Sequence, residues 1–352
     1  MNTLAGKKNE AAGSVSRLRT ALNENALEKL YVFTGEESYL RRYYLAEVRK
    51  AVVSGGFAEF NEHCAEGKDI TVQSLREMAE VMPVFSERSL IVLTDFDPFS
   101  LKEEEREAFI ALIEDWPDYC CLVLHYDLSE YKPNRTMKRL TAAMQSFTVV
   151  EFARQEPDKL YGWIRRHFRE RGKDIDLNAC EYLTFTCGSL MGTLLPEIEK
   201  LAAYAKGERV TVEDIRAVAT PMTEAVVFSL TSAVTAGKYD EAAKILGELL
   251  RQQEEPIYLL AVLGNELRRI YTARLAIDGG KDKFYVMELW NMKSDYAAKL
   301  LMNAARNVSA AWCRMALKEA EKLDRRMKSE NGIDSEEELK RFLMRLIREA
   351  KR

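Results

Sequence analysis

The first residues whose types and spacing could do chemistry lie at positions 30 to 40. Leu30-Tyr31-Val32-Phe33-Thr34 reads as a buried strand closed by Gly35, and Tyr39, Leu40, Tyr43, Tyr44 and Val48 then repeat at helical spacing. A strand that ends on glycine and runs straight into a helix is the setting of a phosphate-binding loop. That chemistry requires GxxxxGK[ST]: backbone amides around the phosphates, a lysine on their charge and a hydroxyl on magnesium. Here the turn is Gly35-Glu36-Glu37-Ser38, with no Lys-Ser or Lys-Thr pair near it. Two carboxylates at the positive end of a helix stabilise the helix and repel a triphosphate. Glu36 and Glu37 therefore read as helix-start stabilisers in a degenerate nucleotide site, and nucleotide binding is not expected.

The other candidates are weaker. Asp95 follows a β run, Ser89 to Asp97, and an acid after apolar strand residues can hold magnesium; no second acid follows it directly, so it reads as a strand terminus. His63, His125 and His167 are far apart and read as structural. No G-x-S-x-G, HExxH or CxxC pattern occurs, so neither a catalytic set nor a cofactor or metal site is expected. The six cysteines (Cys64, Cys120, Cys121, Cys180, Cys187 and Cys313) are scattered, and the Cys120-Cys121 pair reads as buried, reduced thiols.

The elements that must position these residues fall into blocks. With 352 residues, 47% hydrophobic and 31% charged, the chain suits two or three globular domains. A net charge of −4 lacks the basic excess of a dedicated nucleic-acid binder. No apolar run approaches the roughly 20 residues that span a bilayer, and the first ten residues lack the apolar core of a signal peptide, so a cytoplasmic protein is expected. Residues 1–152 alternate strands (30–35, within 57–67, 89–97, 120–127, 147–152) with helices, among them one opened by Ile70-Thr71 and stopped by Pro83; this predicts a parallel sheet covered on both faces. After Phe152 strands are not expected. Residues 153–221 read as a small helical unit, with Asp174 and Asp176 ahead of its second helix and a capping-box start at Thr211 and Asp214. Residues 222–352 read as a helical bundle broken at Gly237, at 254–256, at 279–280 and at 331–332.

The order of these motifs carries a resemblance. Tyr31 to Leu40 (YVFTGEESYL), Met82 to Asp97 (MPVFSERSLIVLTDFD), the strand CCLVLHYD, the segment 188–215 and the segment 228–268 together resemble the delta subunit of the bacterial DNA polymerase III clamp loader, over nearly the whole chain. The resemblance implies a RecA-type AAA+-like α/β domain without ATPase activity (1–152), a helical lid (153–221) and a helical collar (222–352). It also implies that the chain binds the β sliding clamp and holds one ring interface open for loading onto primed DNA, as the family does. The implied partners are gamma/tau subunits, which hydrolyse ATP, and a delta-prime subunit, in a hetero-pentamer. Active relatives carry a nucleotide-reaching arginine where this chain has Met191, in Gly188-Ser189-Leu190-Met191.

The clamp contact implied by the resemblance is a hydrophobic pair, here Val84 and Phe85 within Pro83-Val84-Phe85-Ser86, with Val84 a smaller knob than the leucine of some members. On the residues alone, Pro83 ends a helix and leaves Phe85 at a turn, where it either anchors a partner or plugs the helix against the sheet. Basic residues gather at Lys132, Arg135, Lys138 and Arg139, and at Lys159, Arg165, Arg166, Arg169, Arg171 and Lys173; a solvated helix face competes there with contacts to DNA phosphates. The alternatives to the clamp-loader reading are an active AAA+ ATPase, a helical scaffold unrelated to replication, and a nucleic-acid enzyme.

Overall fold

The computed structural model describes residues 2–53, 58–330 and 332–350. Phe57, at the start of the second expected strand region, and Asn331, in the last expected break, lie outside the described residues. The chain divides into two compact units, one formed by Met1–Gln155 with Leu190–Gly192 and the other by Glu156–Ser189 with Thr193–Arg352.

The first unit is built on strands β1 (Leu30–Thr34), β2 (Glu62–Glu66), β3 (Ser89–Thr94), β4 (Cys120–His125) and β5 (Thr148–Glu151). They pair in the order β2-β3-β4-β1-β5, every pairing parallel. Parallel strands need crossovers, and helices α1 (Asn2–Asn23), α2 (Ser38–Val52), α3 (Ala58–Asn61), α4 (Val72–Glu80), α5 (Glu103–Glu114) and α6 (Lys138–Ala143) surround the sheet. The strand period of two sends alternate side chains to two separate cores. Leu30, Val32, Ile91, Leu93, Leu122 and Leu124 join Phe109 and Leu140 on the face covered by α4, α5 and α6. Tyr31, Phe33, Leu90, Val92 and Val123 join Leu45, Val48 and Leu18 on the face covered by α1 and α2. All six residues of β4 are buried, as a strand with helices on both faces must be. Burial pushes its thiols Cys120 and Cys121 up to about 11 and about 12.

The second unit is helical. It holds α7 (Pro157–Arg169), α8 (Leu177–Cys187), α9 (Met191–Tyr204) from Thr193 onward, α10 (Val212–Val218), α11 (Thr223–Thr235), α12 (Tyr239–Arg251), α13 (Pro256–Asp278), α14 (Lys283–Leu289), α15 (Asp295–Arg306), α16 (Ala310–Ser329) and α17 (Ser335–Ala350). Strands do not vanish after Phe152: β6 (Asp174–Ile175) and β7 (Arg209–Val210) form a short parallel pair. Local signals set several helix starts. The Asp176 carboxylate accepts from Ala179 N–H at 2.8 Å, and Thr211 and Asp214 form a complete capping box. The period near 3.6 buries Val227, Leu246, Leu263, Ile270, Ala305 and Leu339 in one bundle core. Among the described residues no single helix is long and apolar enough to cross a membrane.

Candidate functional site

Gly35 closes β1 with φ 114°, and a Cβ there would lie 2.5 Å from the Phe152 carbonyl oxygen, so the turn admits only glycine. Glu37 N–H donates to that same oxygen at 2.9 Å. The two acids differ in their surroundings. Glu37 stands at the N-cap of α2 but makes no side-chain cap bond. It is fully buried, and its carboxylate accepts from the backbone N–H of Met191 at 3.2 Å. Burial raises its pKa, and the Met191 N–H only partly opposes this. Glu36 faces outward and pairs with Arg154. In the sequence the two look equivalent because both sit at one helix end; burial separates them. Met191 is buried, and its backbone amide meets the turn.

In a parallel sheet, ligands bind beyond the carboxyl ends of the strands where the direction of winding reverses, which here is the crevice between β1 and β4. The chain's own groups occupy it. Arg41, only 3% exposed, donates to the Gly35 carbonyl, to His125 Nε2 at 3.3 Å and to Asp127 Oδ1 at 2.8 Å. Arg42 takes the other Asp127 oxygen at 2.9 Å. Burial works to raise the Asp127 pKa, and the two guanidinium groups outweigh it and hold it low. His125 is pushed down to about 4 by its burial and then by the Arg41 charge. Asp95, in the left-handed region at φ 53°, turns its Oδ1 onto Asp127 N–H at 3.0 Å, Ser129 N–H at 2.9 Å and the Ser129 hydroxyl at 2.6 Å. Its lone pairs tie down the loop after β4. Burial works to raise its pKa, and the Ser129, Leu128 and Asp127 donors overcome this and lower it. Among the described residues no group of three or more His, Cys, Asp and Glu is placed to hold a metal ion.

The second sequence candidate is the loop between α4 and β3. Pro83 does not end the helix; α4 stops at Glu80, with Val81 already extended at φ −69° and ψ 119°. A residue before proline is kept out of the helical region, so the restriction on Met82 shortens α4 ahead of the ring itself. The loop then exposes a run of apolar side chains. Val81 is 46% exposed, Met82 67%, Val84 39% and Phe85 86%. Phe85 therefore does not plug the helix against the sheet. Its φ is 51°, a conformation a bulky residue adopts only at a cost on the order of 1–3 kcal/mol. The loop is held at its middle and at its exit. Asn61, 2% exposed, accepts from Val84 N–H at 2.7 Å and donates to Val84 C=O at 2.9 Å. Arg88 donates to Leu27 C=O at 2.9 Å and to Glu28 C=O at 3.1 Å, while the Ser86 hydroxyl donates to Arg88 C=O at 3.0 Å.

A family model described as DNA polymerase III, delta subunit matches residues 31–153, and one described as DNA polymerase III delta subunit, C-terminal domain matches residues 224–346. The chain belongs to the delta-subunit family of DNA polymerase III. The membership places its work in DNA replication. The DNA polymerase III subunit delta of Bacillus subtilis is 24% identical over 339 residues, 93% of this chain and 95% of that protein. A probable DNA polymerase III subunit delta of Aquifex aeolicus is 23% identical, over 79% of this chain and 80% of its own length. Among solved structures, the Bacillus subtilis DNA clamp loader delta protein shares the fold, with a TM-score of 0.53, 22% identity, and coverage of 95% of this chain and 99% of that one.

In this delta-family chain several residues of the basic clusters are engaged within the fold. Lys173 donates to the carbonyls of Ala205 and Gly207, at 2.7 Å each. Arg171 pairs with Glu199 at 2.9 Å, Lys132 with Glu130 at 2.7 Å, and Arg139 with Glu107. Sequence reasoning missed Arg41, Asp127 and Asn61. Arg41 lies on the α2 face next to the turn, but its partner Asp127 is 86 residues away, and nothing local marks Asn61.

Proposed function

We propose that this chain is the delta subunit of a bacterial DNA polymerase III clamp loader. It binds the β sliding clamp through Val84 and Phe85, with Pro83 and Ser86 shaping the turn, and holds one ring interface open for loading onto primed DNA. It works in the cytoplasm beside gamma/tau and delta-prime subunits, with residues 1–152 facing the clamp, 153–221 forming a lid and 222–352 a collar. It does not hydrolyse ATP. The observation that carries this reading is Phe85: a large aromatic held in a strained conformation, 86% exposed, on a loop tied down at Val84 and at Arg88. A preformed aromatic anchor at an exposed turn is what a hot spot requires, because little ordering entropy is lost when it enters a pocket. The crevice between β1 and β4, filled by Arg41 and Asp127, supports the absence of nucleotide chemistry. A pull-down with the β clamp and gamma/tau tests the proposal: the chain retains both. Retention of neither would return the chain to the scaffold reading, and ATP binding in the micromolar range would return it to the ATPase reading.

A further inference from the structure

One buried side chain grips the tip of the Phe85 loop with both a donor and an acceptor. Asn61 closes α3 just before β2, is 2% exposed, and holds both backbone polar groups of Val84, the residue before Phe85. A primary amide can donate and accept at once while remaining neutral, so it pins the peptide on both sides of Val84. Phe85 follows at φ 51°, a conformation that a free turn would leave. The bonds to Val84 and the rooting of Arg88 on Leu27 and Glu28 together over-determine the turn.

We propose that Asn61 is the positioning residue of the clamp-binding tip: it holds Val84 so that Phe85 stays in its binding conformation before the clamp arrives. This rests on the reading that Val84 and Phe85 meet the clamp. Asn61 itself touches no clamp atom. It raises affinity by keeping the competent conformation populated, since apparent affinity falls in proportion to that population.

The test is a double-mutant cycle on the full chain, with binding to the β clamp and the thermal midpoint both read. Asn61→Ala is expected to weaken clamp binding about tenfold, as the competent fraction drops to about a tenth. In the Phe85→Ala background the same change is expected to add less than about twofold, because there is no anchor left to position. Asn61→Ser keeps a neutral polar side chain that is too short to hold both Val84 groups at once, so a loss no larger than that of Asn61→Ala is expected; it carries the test should Asn61→Ala not fold. Equal losses in both backgrounds would show a merely structural residue and overturn the inference. An unchanged affinity for Asn61→Ala, with Phe85→Ala still impaired, would overturn it while leaving the clamp contact intact. An unchanged affinity for Phe85→Ala would remove the clamp contact itself, and this inference with it.

Discussion

Phe85 and Glu37 mark the two ends of what single residues do here. Phe85 stays in water in a costly backbone conformation, whereas Glu37 is a carboxylate taken wholly out of water. Between them, His125 offers the clearest titration. Its pKa lies at about 4 instead of the usual 6.5, chiefly because it is buried and then because Arg41 is beside it. A histidine that resists protonation in the fold contributes stability that is complete above 6.5 and is lost as pH falls from there towards 4. His125→Asn, which keeps an acceptor for Arg41, is therefore expected to flatten that stretch of the stability–pH curve by about 2 kcal/mol. Urea unfolding of both chains at a series of pH values reads this as a difference, so that Asp95 and Asp127, which lose stability in the same direction on acidification, cancel. An unaltered slope would mean that His125 is protonated freely in the folded chain.

At the scale of elements, the cap and the crevice give contrasting expectations. The Thr211 and Asp214 box satisfies two amides at the start of α10, so Thr211→Ala is expected to cost about 1 kcal/mol in chemical denaturation. Arg41→Met strips His125 of its donor in the crevice and leaves Asp127 with Arg42 alone. It is expected to cost about 2–3 kcal/mol by the same measurement, and a loss below about 0.5 kcal/mol would show that the network is not needed to hold β1 and β4 together. What can be read in advance differs in the same way. The apolar runs of β1, β3, β4 and β5, the Asp176 cap and the Thr211 box are legible because each is a local pattern of period or spacing, whereas β2, Glu62–Glu66, has no apolar run and is marked only within a wider stretch. The pairing of β6 with β7 is not, since two-residue strands carry no period. Nor is the early end of α4, where the constraint on Met82 acts before Pro83. Arg41 reads as a surface charge in sequence, and only its fold-made neighbours show that it is a buried tie. Glu36 and Glu37 are alike in type and opposite in burial, which no spacing rule distinguishes. Val84 and Phe85 stand out by resemblance; their exposure and strain come from the fold.

For the whole molecule, the crevice where related α/β sheets take ligands is occupied from within, and Phe85, a strongly exposed aromatic, lies on a loop before β3. The proposed function requires a delta-family chain arranged in this way to put its clamp-binding energy into one hydrophobic tip. The binding of the full chain to the β sliding clamp, measured at equilibrium for the natural sequence and for Phe85→Ala, tests that claim most directly. A loss of about 2–4 kcal/mol in affinity, with the thermal midpoint preserved, is the predicted result. A folded Phe85→Ala chain that binds the clamp as tightly as the natural one would contradict it.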